Sequence, residues 1–167
     1  MKYWNITFFS TFFLFFSGCS NKNIKVKKNK SKYKIWKYSK YDTRFLKKLG
    51  KYKVRGSYYQ PYIPKVGYIQ YGKASWYGNP FHGRKSASGE IYNMNDYTAA
   101  HRYFAINTVV KVTNLSNNKN VIVRINDRGP YTYKGRIIDL SVQAAKKIGM
   151  YKKGVQKVKV EVIGYGI

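Results

Sequence analysis

The sequence predicts a mainly β domain, a small barrel with one short helix, over residues 68–167. Three observations carry this. Residues 108–112 (TVVKV) and 120–125 (NVIVRI) are β-branched runs separated by the turn residues Asn117, Asn118 and Lys119. Val158, Val160 and Val162 alternate strictly, the period of a half-buried strand. Residues 141–147 (SVQAAKK) form a helical segment in this region, with Ser141 placed to cap it, Lys146 and Lys147 at its C-terminal end and Gly149 to stop it. Short strands with one helix in about 100 residues fit a closed β architecture better than a parallel sheet flanked by helices.

The chain ahead of the domain differs in kind. Lys2 precedes an apolar run at residues 6–16 (ITFFSTFFLFF), which is short of the roughly 20 residues needed to span a bilayer and fits the core of an export signal. Phe16-Ser17-Gly18-Cys19 follows and resembles the lipobox of bacterial lipoproteins, with Phe16 where Leu is usual. That likeness implies cleavage after residue 18 and lipid on Cys19. Acyl chains there anchor strongly, since each buried CH₂ contributes about 0.8 kcal/mol. Ser20 in place of Asp after the cysteine implies transfer to the outer membrane, facing the periplasm. Cys19 is the single cysteine of the chain, so an intramolecular disulfide and a cysteine metal site are both excluded.

The chain carries 33 Lys and Arg against 6 Asp and Glu, a formal net charge of +27. Such charge points to nucleic acid or an anionic surface, or else to a genome-wide bias toward Lys, Asn, Ile and Tyr. Export removes the nucleic-acid reading. The excess is concentrated in a lipid-anchored linker, residues 19–67, where Asp42 is the only acid. Like-charge repulsion and the lack of sustained periodicity predict disorder there. The linker is then either a flexible spacer or a strap adhering to anionic headgroups and wall carboxylates. Five of the six acids lie beyond it, placed singly within the domain.

Six ordered motifs identify the domain with a known family. Residues 72–78 (GKASWYG), 81–84 (FHGR), 86–90 (SASGE), 98–101 (TAAH), 123–130 (VRINDRGP) and 136–141 (RIIDLS) resemble the rare lipoprotein A family, in that order. The resemblance implies a six-stranded double-psi β-barrel. It implies lytic transglycosylation of peptidoglycan glycan strands, often strands stripped of peptides; no cofactor is expected. It places the essential acids on Glu90 and Asp127, with His101 in support. Ser86 and Ser88 stand where Thr and Asn are more usual. Many members also carry a C-terminal peptidoglycan-binding repeat domain, which residues up to Ile167 do not match.

A glycosidic bond needs a proton on its leaving oxygen and stabilisation of an oxocarbenium-like charge. In a lytic transglycosylase the sugar's own C6 hydroxyl attacks, so one carboxyl can act as acid and then as base. In a regular strand Asp127 shares a face with Val121, Val123 and Ile125, which puts a carboxyl at the rim of the core, where desolvation raises its pKa. Arg128 opposes that rise; the alternative for Asp127 is a turn cap before Gly129-Pro130. Glu90 sits in a polar loop, and its case rests on the resemblance. Asp139 reads as structural, capping the helix or pairing with Arg124, Arg128 or Arg136. His101 either bonds a carboxylate or substrate, or is a buried and satisfied histidine. Tyr77 and Phe81, with Trp76 and Tyr92, offer either a platform for sugar rings or core packing. Two histidines and a lipidated cysteine do not make a metal site.

Three functions follow from different classes: a lipid-anchored enzyme that cuts glycan, a non-catalytic barrel that binds or loosens the wall, and a charged tether between membrane and wall. The pair of Glu90 and Asp127 distinguishes the first, since a binder needs neither.

Overall fold

The computed structural model describes residues 38–39, 43–44, 46, 50–132 and 135–166. The apolar leader, Cys19 and most of the lysine-rich stretch lie outside the described residues. The described elements are β1 (Tyr38–Ser39), β2 (Tyr52–Val54), β3 (Ser57–Tyr59), β4 (Ile69–Tyr77), a 3-10 turn (Asn79–Phe81), β5 (Thr98–His101), β6 (Thr108–Asn114), β7 (Asn120–Asp127), β8 (Arg136–Ser141), α1 (Val142–Lys147) and β9 (Gln156–Gly166).

Six strands close on themselves. The order is β9-β4-β8-β5-β7-β6, and β6 pairs with β9 to complete the ring. Two pairings are parallel, β4 with β8 and β5 with β7; the others are antiparallel. Closure removes the free edges that make an isolated sheet prone to association. The alternating residues fill the interior: Val110, Val112, Val123, Ile125, Val158, Val160 and Val162 belong to one buried cluster with Leu140, Ile138 and Phe104. Each fully buried side chain of this size stabilises the fold by roughly 1.5–3 kcal/mol. Gly72 is needed at its position, since a Cβ there would lie 2.7 Å from Ile137.

The expected strands around 108–112, 120–125 and 154–163 are present as β6, β7 and β9, somewhat longer than the pattern indicated. Helix α1 is capped by Ser141, whose side chain accepts from the Ala144 amide at 3.2 Å, and it ends before Gly149 at φ +69°.

Two findings depart from the sequence expectations. First, β7 does not carry Asp127 on the same face as Ile125. The parallel register runs Ala99 to Ile125 and then Ala100 to Asp127, so Asn126 is an extra, bulged residue. A bulge of one residue switches the side-chain alternation beyond it. Ile125 therefore stays with Ala99 in the core, and Asp127 turns to the opposite face beside Ala100.

Second, the end of the basic segment is ordered and not disordered. β2 and β3 form a hairpin whose two-residue turn is Arg55-Gly56, both at positive φ, +47° and +83°. This is the pairing that matches strand twist, at a cost of about 1 kcal/mol for holding an L-residue such as Arg55 there. Aromatic packing supplies what the composition hides. Tyr52 stacks on Tyr59 at 5.3 Å, and Tyr59 meets Tyr103 and Tyr131 of the barrel at 5.9 and 5.4 Å. The Tyr52 hydroxyl donates to the Arg102 carbonyl at 2.8 Å.

Candidate active site

Three neighbouring strands bring two carboxyls to one face of the barrel. Ala100 of β5 pairs with Asp127 of β7 on one side and with Asp139 of β8 on the other. Directly paired residues point to the same face, and two inter-strand steps separate the acids' Cα atoms by roughly 10 Å. The methyl of Ala100 leaves the space between them open. That space is a cavity of about 290 Å³ lined by Asp127, Asp139, Ala100, Tyr77, Phe81 and Arg128, with Arg55 and Tyr131 at its border. A cavity of about 380 Å³ elsewhere, lined by Lys73, Val155, Gln156 and Lys157, has no acid in its wall.

The Asp127 carboxyl is largely buried, and burial pushes its pKa above the ordinary carboxylate value. Opposing this, Oδ1 accepts hydrogen bonds from the Ala87 amide at 2.9 Å and the Arg128 amide at 2.8 Å, and the Arg128 guanidinium lies near. Burial wins. Asp139 is raised for the same first reason, against a hydrogen bond from the Ser75 hydroxyl and the charges of Arg136 and Arg102; the nearby Asp127 adds to the rise. Arg136 donates to the Ser75 oxygen at 2.6 Å and stands 3.7 Å from Asp139 Oδ1. Arg136, Ser75 and Asp139 thus form a chain that orients one carboxyl. The two acids have unequal settings: backbone amides hold Asp127, and a hydroxyl backed by a guanidinium holds Asp139.

Glu90 is placed differently. Its carboxylate is about half exposed and accepts from Arg124 Nη2 at 2.5 Å, while Arg124 itself is almost fully buried and also bonds Asn107 at 2.6 Å. Glu90 closes the loop 86–90, which clips to β7 through the Ser88 amide on the Asn126 carbonyl at 3.0 Å. The same loop presents the Ala87 amide to Asp127. Glu90 and Asp127 therefore share a loop, but the residues around the cavity are joined by Asp139 and not by Glu90.

His101 is buried, and its ring is fully used. Nδ1 accepts from the amides of Phe104 at 2.9 Å and Tyr103 at 3.2 Å, which puts the proton on Nε2, facing Gln70 Oε1 at 3.2 Å. The ring stacks on Phe104 at 3.7 Å. Burial and the neighbouring Arg102 and Arg128 push its pKa down to about 3, so it is neutral. This is the satisfied-histidine alternative. The turn it shapes offers the His101 and Phe104 carbonyls to Arg128 Nη1 at 3.2 and 2.6 Å. Arg128 also covers the Tyr52 ring at 5.4 Å.

Of the aromatics, Tyr77 and Phe81 reach the cavity, edge to face at 5.8 Å. Tyr77 stacks on Tyr92 at 4.3 Å, and burial pushes the pKa of its hydroxyl well above the ordinary value. Tyr92 is core, its hydroxyl donating to the Tyr77 carbonyl at 2.6 Å. Trp76 packs against Tyr151, away from the acids. The sequence reads Asp139 as structural, and the structure places it in the cavity wall. The signal that finds it is its pairing to Ala100, which is a matter of register. Among the described residues no group of three or more His, Cys, Asp or Glu is arranged to hold a metal ion.

Residues 69–160 match the double-psi β-barrel family model described as lytic transglycolase. An endolytic peptidoglycan transglycosylase RlpA of Campylobacter jejuni is 51% identical over 115 residues, 69% of this chain and 42% of the relative. One of Neisseria meningitidis is 51% identical over 112 residues, 67% of this chain and 46% of the relative. This chain thus aligns with less than half the length of these curated relatives. A Streptomyces papain inhibitor, 21% identical, shares the fold at a TM-score of 0.50, over 60% of this chain and 98% of its own. With a closed six-stranded barrel and the family match across its strands, the chain belongs to the lytic transglycolase family of double-psi β-barrels.

Proposed function

We propose that this chain is a lytic transglycosylase that cuts peptidoglycan glycan strands within the cell envelope. The observation that carries the reading is the pair of desolvated carboxyls flanking Ala100 in an open cavity bordered by Tyr77 and Phe81. The relatives' names supply the substrate class. Asp127, its pKa raised by burial, delivers a proton to the leaving C4 oxygen as the bond from muramic acid C1 breaks. The C6 hydroxyl of the same muramic acid forms the new bond to C1, and its proton passes to the carboxylate. The product is a 1,6-anhydro sugar, and no water is consumed. Asp139, oriented by Ser75 and Arg136, stabilises the positive charge that develops at C1. Glu90 acts through Arg124 and the loop that carries the Ala87 amide. His101 holds the turn that seats Arg128.

The boundary FFSGCS supports a lipid-anchored form, cleaved after residue 18 and held at the outer membrane through Cys19. Cys19→Ala then leaves the membrane fraction, and its retention there as strong as the native chain's opposes lipidation. The catalytic reading is tested by incubating the purified chain with intact and with peptide-stripped glycan and weighing the soluble products by mass spectrometry. Anhydro ends support it; reducing ends mean that water attacked. Binding without products favours a module that holds or loosens the wall.

A further inference from the structure

The hairpin at Tyr52–Tyr59 lies outside the residues that match the family, yet it borders the cavity. Its turn residue Arg55 holds a left-handed backbone, φ +47°, at a position where Asn or Gly is the unstrained choice. An outlier of this kind invites a functional account. The turn carries Arg55 into the lining shared with Asp127, Asp139 and Thr132. A second cavity of about 340 Å³ adjoins it through Arg128, and Gly50, Lys51, Tyr52 and Ala87 line that one. The hairpin is held in place by Tyr52, Tyr59, Tyr103 and Tyr131. No acid occurs between Asp42 and Glu90, so the hairpin side of this groove is cationic; Arg128 lies where the two cavities meet, and the acids Asp127 and Asp139 lie on the barrel side.

An anion on the substrate is attracted to the hairpin side, where Arg55 and Lys51 stand, and not to the two acids. We infer that Arg55, assisted by Lys51, forms a subsite for a carboxylate carried by the glycan, and so sets which way the strand lies across the acids. This rests on the glycan reading above. The carboxylate has two sources, the lactyl group of peptide-stripped muramic acid or the stem peptide.

Binding measured by intrinsic fluorescence on the full chain tests this without requiring turnover. The probes are peptide-stripped glycan fragments, the same fragments with carboxyls methyl-esterified, and peptide-bearing fragments. Arg55→Asn keeps the turn, because Asn accepts positive φ readily. It is expected to weaken binding of a charged probe by about tenfold or more, as loss of a charge-assisted contact does, and to leave the esterified probe unchanged. Arg55→Lys, which keeps the charge without the fork, is expected to recover part of the affinity. Loss confined to the stripped probe assigns the lactyl group, and loss confined to the peptide-bearing probe assigns the stem. Equal affinity of native and Arg55→Asn for both charged probes overturns the inference, as does equal binding of esterified and charged probes by the native chain. Native chain that binds the charged probes through Arg55 but releases no product overturns the glycan-cleavage reading and leaves the subsite standing.

Discussion

Asp127 and Glu90 occupy the two most acid-marked motifs of the chain, yet the structure gives them opposite surroundings. Asp127 is turned by a bulge into a cavity, largely out of water and opposite Asp139. Glu90 is half in water and paired with a buried arginine. A carboxyl does acid chemistry near neutrality when desolvation raises its pKa; Glu90 is instead engaged by the Arg124 guanidinium and ties down its loop. In the proposed mechanism the difference separates the acid that moves a proton from one that positions a loop.

Substitutions can break this comparison. Asp127→Asn should lower the rate of glycan release by about 10²–10⁴-fold, the usual effect of removing a general acid, in a protein of native circular dichroism. Asp139→Asn should cost about 10²–10³-fold, as loss of charge stabilisation does, with the remaining activity keeping the native acid limb of the pH profile. Ala100→Leu leaves both acids in place and fills the gap between them. It should lower the rate by about 10²-fold through misplacement of the sugar, while Ala100→Gly retains activity. A Leu variant of full activity would show that the cavity floor is not the site. Glu90→Gln should cost less than about tenfold, since a half-exposed ion pair contributes at most about 1 kcal/mol and Gln can still accept from Arg124.

Stability sharpens the contrast with no substrate present. The native state holds the Asp127 proton more tightly than the unfolded chain does. Its contribution is therefore favourable below the ordinary value of 3.8 and is lost as pH rises through the native pKa. Asp127→Asn should accordingly melt higher than the native chain at pH 7, with the gain vanishing below pH 3.8; an unchanged difference across that range would contradict the burial argument. The smallest effect concerns His101. With a pKa near 3 in the fold against 6.5 in the unfolded chain, its ring signals should not move on NMR titration from pH 8 to pH 5. The corresponding stability is lost as pH falls from 6.5 toward 3.

Much of the barrel was legible because β6, β7 and β9 alternate apolar and polar residues, and because Ser141 and Gly149 mark the ends of α1. β5 and β8 were not legible as strands. TAAH is buried on both faces, and RIIDLS lacks alternation, so neither shows a period of two. The bulge at Asn126 leaves no mark in one sequence, since it is a property of the pairing with β5. Without the bulge, regular alternation gives Asp127 the face of Ile125, and nothing places Asp139 beside it. The hairpin was hidden by its lysines, because the partners of Tyr52 and Tyr59 lie some 45 to 80 residues along the chain, at Tyr103 and Tyr131.

The measurement that bears most directly on the account compares the native chain and Asp127→Asn, both of verified fold, on the same purified peptidoglycan, with 1,6-anhydro-muramyl ends counted by mass spectrometry. The account predicts anhydro ends from the native chain and none above background from the variant. Anhydro ends in equal yield from Asp127→Asn, or reducing ends from the native chain, would contradict it.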